Sequence, residues 1–183
     1  MTTFEFVSVL LSIVVSLAFT HLLTGAARLI AAEGVKLSLV HVAWMGLLTL
    51  SSVDYWFSLW QARNVEVWSL GYVMLWLALA TALYVASWLA VPSEAQVQAG
   101  ADLANFHDTR RRKYLGAFFV YMAFGLIGNL TVATLESASL VSMCLLVLIA
   151  IAWIWSDRRV QIATVVIFYV VFGWYAMTYI PQV

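Results

Sequence analysis

The sequence predicts an all-α membrane protein: one polytopic bundle of six transmembrane helices with both termini on the outer, periplasmic side. Three observations predict it. Of 183 residues, 64% are hydrophobic and only 10% are charged, whereas charged residues make up roughly a quarter of a soluble domain; mean hydropathy is +0.96. Cutting the chain at charged and Pro/Gly clusters leaves six apolar runs, each near the ~20 residues a helix needs to cross a bilayer core. Finally, eight of the nine Lys and Arg residues fall on one side of the alternating runs, the side that is retained in the cytoplasm.

The runs cover 4–31, 38–60, 69–91, 113–135, 139–156 and 160–180, in a single domain over 1–183. The opening "MTTFEFVSVLLS" has no basic segment and carries Glu5, so it reads as a retained first helix and not as a cleaved signal peptide. The second run holds the stretch "LLTLSSVDYWFSLW" with Asp54, and the third is rich in Leu, Ala and Trp. A loop at 92–112 is the one long connection, and its Leu103 and Phe106 fit an interfacial helix leading into the fourth run. Short connections elsewhere make consecutive helices antiparallel neighbours. Three helices plus three would also relate the halves by inversion, as in many secondary transporters; the first and fourth runs match in polar positions no better than chance, so the sequence lends that arrangement no support.

Arg28, Lys36, Arg110, Arg111, Arg112, Lys113, Arg158 and Arg159 lie on the inner side and Arg63 alone on the outer. Aromatic belts agree: Trp56, Trp60, Trp68, Trp174 and Tyr179 mark the outer boundary, and Trp44, Trp88, Trp153 and Trp155 the inner one.

The segments "FEFVSVLLSIVVSLAFTHLLTGAARLI", "HVAWMGLLTLSSVDYWFSLW" and "FHDTRRRKY" resemble a family of short, uncharacterised bacterial inner-membrane proteins. The resemblance covers about the first two thirds of the chain. It implies a bacterial inner-membrane location and no activity, and it carries over no catalytic or binding residue.

Several classes lack their chemistry here. A formal net charge of zero gives no electrostatic footprint for nucleic acid. The lone Cys144 excludes an intramolecular disulfide framework. No P-loop, nucleophile elbow, HxxxH or CxxC is present, so no catalytic residue, metal or cofactor is expected. Folding the first two helices back on each other sets His21 and His41 about one and a half to two turns apart in depth, which argues against a metal or haem shared by that pair.

Polar residues within the runs are the remaining candidates. On the first helix Ser8, Ser12, Ser16, Thr20 and Thr24 recur at steps of four, reading as a packing seam or as part of a polar path. Asp54 lies about six residues, ~9 Å, inside the outer end of its helix, too deep for its short side chain to reach water through lipid. Charge in that position is costly, and intramembrane acids are functional candidates by default; the alternatives are a structural hydrogen bond or a helix-end position. The fourth run has Gly125, Gly128, Asn129, Thr131, Thr134 and Glu136, and Tyr175 of the sixth matches Asn129 and Asp54 in depth. Asp54, Asn129, Tyr175 and Ser12 or Ser16 are therefore expected to form an outward-facing polar pocket. Glu5 and Arg63 are expected to pair at the outer surface, and Arg110, Arg111, Arg112 and Lys113 to meet anionic lipid headgroups or simply to fix topology.

These readings lead to a small channel or transporter-like protein, self-associated, that moves or binds an ion or proton through an outer-leaflet pocket. The alternative is a non-transporting accessory or assembly protein that binds lipid, pigment or a larger membrane complex.

Overall fold

The computed structural model describes residues 2–65, 67–132 and 137–179. They fold into α1 (Thr3–Ala31), α2 (Leu39–Gln61), α3 (Leu70–Ala90), a short α4 (Glu94–Gln98), α5 (Leu103–Val132), α6 (Ser137–Ile154) and α7 (Arg158–Tyr179). Four segments, Thr3–Ala31, Leu70–Gln98, Leu103–Leu130 and Arg158–Thr178, are long and apolar enough to cross a membrane. Large apolar side chains such as Ile13, Leu17, Val166 and Val170 are exposed on the outside of the bundle, a surface that suits hydrocarbon better than water. Thr134 and Glu136 lie outside the described residues.

Local chemistry fixes the helix ends. Thr2 and Glu5 form a reciprocal capping box, with Thr2 N donating to Glu5 Oε2 at 2.8 Å and Glu5 N to Thr2 Oγ1 at 3.2 Å, which satisfies two orphan donors of α1. At the opposite end of the bundle the 32–38 and 99–102 connections are bridged by Lys36 N to the Ala101 carbonyl (3.0 Å) and Leu103 N to the Lys36 carbonyl (2.9 Å). Gly34 and Gly100 take φ of +79° and +77° there, values that L side chains avoid.

Six long helices appear, but the fourth departs from its expected start. Instead of a loop through 112 and a separate interfacial helix, α5 begins at Leu103 and runs 30 residues without interruption. The Asp102 carboxylate caps it, accepting from Ala104 N at 3.0 Å and Asn105 N at 3.2 Å. Arginine and lysine are good helix formers, so the basic run sits inside the helix.

The centre of the bundle is α2, which touches α1, α3, α5 and α7. It is not among the four segments long and apolar enough to cross a membrane, and it carries His41, Thr49, Ser51, Ser52, Asp54 and Ser58. Its His41, Ser51 and Ser52 are buried among these neighbours, which is where polar side chains cost least in a membrane. Its Trp44 packs edge-on against Phe168 (6.3 Å between centroids), and Phe168 against Phe118 (6.0 Å). On α7, Tyr169 reaches over Gly46 and donates to the Ala43 carbonyl at 2.9 Å.

One basic residue is not where the sequence suggested. Arg111 is only 4% exposed, and its Nη1 donates to the carbonyls of Ala152 (3.0 Å), Trp153 (3.0 Å) and Trp155 (3.1 Å). It closes the C-terminus of α6, whose last carbonyls have no intrahelical partner and attract cations, and so is withdrawn from any headgroup. Gln161 of α7 joins it through Nε2, 2.6 Å from the Ala152 carbonyl and 2.7 Å from that of Trp155. Arg110, Arg112 and Lys113 stay exposed.

Candidate functional site

Asp54, Asn129 and Tyr175 line one cavity of about 350 Å³. It lies at the end of the bundle where α1 begins and α7 finishes, away from the arginines of α5. On α2 it is faced by Ser51, Asp54, Ser58 and Gln61, spaced three, four and three residues apart, which places them on one side of the helix. Across from them stand Tyr72 and Trp76 of α3, Tyr121 and Asn129 of α5, Ser142 of α6, and Phe172 and Tyr175 of α7. Five helices thus contribute, and among the described residues the lining contains no Lys, Arg or His.

The polar groups divide into two kinds. Some hold the walls: Tyr55 donates to the Trp76 carbonyl at 3.1 Å, Tyr121 to the Ser51 carbonyl at 3.3 Å, and Asn129 Nδ2 to Ser142 Oγ at 3.1 Å. The first joins α2 to α3, the second α5 to α2, and the third α5 to α6. Asp54 holds nothing. It is half-buried, it lines the cavity together with Tyr55, Tyr121 and Tyr175, and no side-chain hydrogen bond among the described residues ends on its carboxylate. A carboxylate removed from bulk water without a hydrogen-bonding partner is destabilising unless a cation or a proton joins it.

The aromatic rings enclose the same space. Trp76 meets Tyr55 edge-to-face at 5.4 Å and Tyr72 at 6.1 Å, with interplanar angles of 81° and 83°, and Phe172 lies 6.2 Å from Tyr175. Towards the arginine end the cavity stops. One turn beyond Ser51, Leu79, Met122 and Phe172 come Leu48, Leu83, Phe118 and Phe168, all fully buried.

Ser12 and Ser16 are not part of this cavity. They line a shallow groove between α1 and α2 together with Thr20, Trp56 and Trp60, on the other side of α2 from Asp54. Folding a hairpin about its turn predicts depth and leaves rotation about the helix axis undetermined, and a residue turns by about 100° from its neighbour. Glu5 and Arg63 are likewise engaged separately: Glu5 in the α1 cap, and Arg63 through Nη1 to the Trp60 carbonyl (3.0 Å) with its guanidinium 4.6 Å above the Trp60 ring.

The structure also brings together groups that sequence spacing does not connect. His41 of α2 lies 6.0 Å from His107 of α5, between Phe106 and Tyr114, and the Tyr114 hydroxyl meets His107 Nδ1 at 2.7 Å. His21 is elsewhere, stacked on Trp88 at 4.5 Å. No three His, Cys, Asp or Glu side chains converge on a possible metal position among the described residues.

No family model, curated protein or solved structure matches this chain.

Proposed function

We propose that this is a bacterial inner-membrane protein of six spans, with both termini outside, that binds a small cation in the Asp54 cavity and passes it across the membrane. The observation that carries the reading is a carboxylate without a hydrogen-bonding partner among the described residues, lining a cavity to which those residues bring no cationic side chain. Asp54 supplies the charge. Tyr175 and Asn129 supply polar contacts at the wall, and Asn129 also fixes α6 against α5. The outward placement is supported by the concentration of Arg and Lys at the opposite end of the bundle.

Passage requires the layer of Leu48, Leu83, Phe118 and Phe168 to open, since these side chains are fully buried beneath the cavity. Transport by this reading alternates between a state open to the outside and one in which that layer parts. The sealed layer also favours a second reading, a cation-binding accessory protein that moves nothing.

Reconstituted vesicles loaded with a pH- or ion-sensitive dye separate the two. Flux that Asp54→Asn abolishes is the expected result for transport. Absence of flux under every imposed gradient, with Asp54-dependent binding retained, would leave the accessory reading.

A further inference from the structure

We infer that the cation taken by the Asp54 cavity is a small organic ammonium ion with compact alkyl substituents, held between the carboxylate and a box of aromatic rings. This rests on the cation-binding reading above and narrows it to a ligand class.

The number of charges sets the first limit. Among the described residues the cavity is lined by one carboxylate, that of Asp54, and no cationic side chain, a balance that one monovalent cation matches. A divalent metal would want several hard oxygen donors, six to eight for Ca²⁺, and three acidic or metal-ligating side chains meet nowhere among the described residues.

Size sets the second. About 350 Å³ falls within the ~300–1,000 Å³ typical of small-molecule sites, whereas one water takes roughly 30 Å³ of liquid volume. A bare sodium or potassium ion would leave most of that space to water, and helical backbone, with its carbonyls already bonded, offers little to replace its hydration shell.

The walls supply the third argument. Cations are attracted to the faces of aromatic rings within ~6 Å, most strongly to Trp, and quaternary ammonium groups are the usual beneficiaries because they surrender little hydration. Trp76, Tyr72, Tyr121, Phe172 and Tyr175 line the cavity with Asp54. Because Tyr55 and Tyr121 spend their hydroxyl protons on backbone carbonyls, they present oxygen lone pairs, suited to a cation and unsuited to an anion.

The test uses the full-length protein in lipid nanodiscs and isothermal titration with choline, its neutral carbon isostere 3,3-dimethyl-1-butanol, sodium and potassium. The expected result is choline bound at least tenfold more tightly than the isostere, a loss of tenfold or more in Asp54→Asn, and a smaller loss in Trp76→Leu. Equal binding of choline and the isostere would overturn the inference, by showing an apolar pocket indifferent to charge. Asp54-dependent binding of sodium, potassium or protons without choline binding would overturn the ligand class and leave the cation-binding reading standing. Failure of every cation to bind would overturn both. The comparison of choline with its isostere needs only the wild-type protein, so it survives a variant that fails to fold.

Discussion

The Tyr121 hydroxyl donates to the Ser51 backbone carbonyl across 3.3 Å, tying α5 to α2 one turn from Asp54. Replacing it with Phe removes the bond and leaves the ring in place. The expected cost is about 0.5–1.5 kcal/mol, measured by reversible unfolding in mixed micelles, with a modest loss of cation affinity as the wall of the cavity loosens.

Asp54→Asn is expected to separate stability from function. A carboxylate that served as a structural acceptor would leave a donor stranded when neutralised, and the protein would melt earlier. Among the described residues no such donor is bonded to Asp54, so the variant should melt at the same temperature as the wild type or higher in the absence of ligand, while losing binding. Groups kept at the expense of stability are commonly functional. A clear drop in the melting temperature would assign Asp54 to the scaffold instead.

The three carbonyls around Arg111 make it the basic residue most costly to change. Arg111→Ala is expected to lose on the order of 1.5–3 kcal/mol, the worth of hydrogen bonds to a charged group. Lys in its place should recover part of the loss, since all three contacts come from the single Nη1 and an ammonium carries three donors of its own. Alanine at the exposed Arg110 or Arg112 should change stability little and instead weaken binding to vesicles containing anionic lipid. A floatation assay read beside a melting curve distinguishes these effects.

A Cβ added at Gly46 would fall on the Tyr169 hydroxyl, while the next ring atom is 3.8 Å away. Gly46→Ala should therefore destabilise by about 1–3 kcal/mol through overpacking. Combined with Tyr169→Phe, which deletes the offending oxygen, the double variant should be more stable than the sum of the single costs by at least about 0.5 kcal/mol. Simple additivity would count against the contact.

Topology is testable with single cysteines in a background where the exposed Cys144 has been replaced by serine. In intact spheroplasts a membrane-impermeant maleimide should label Arg63→Cys and leave Arg112→Cys unlabelled until the membrane is opened. The reverse pattern would invert the proposed orientation.

The helices were legible because apolar runs and charged breaks are local features, and the near coincidence in depth of Asp54, Asn129 and Tyr175 was legible because a helix rises a fixed 1.5 Å per residue. Rotation was not. Ser12 and Ser16 match Asp54 in depth but lie on the wrong side of α2, in the groove with Trp56 and Trp60, and one sequence holds no record of which way a helix turns against its neighbour. The early start of α5 had a readable signal in Asp102, a good N-cap residue, which the density of charge after it obscured. The approach of His41 to His107 and the burial of Arg111 depend on contacts between distant segments, and no short-range pattern announces either.

Arg111 also bears on how the chain is made. It emerges from the ribosome 41 residues ahead of Ala152, which at about 5–20 residues per second is a wait of roughly 2–8 s. During that interval the guanidinium lacks all three of its carbonyl partners, and the contact of α5 with α6 has yet to form. The last two helices of the nascent protein thus act as a latch on the fourth long one, and a ribosome stalled before residue 152 would hold a bundle still unlocked at its arginine end.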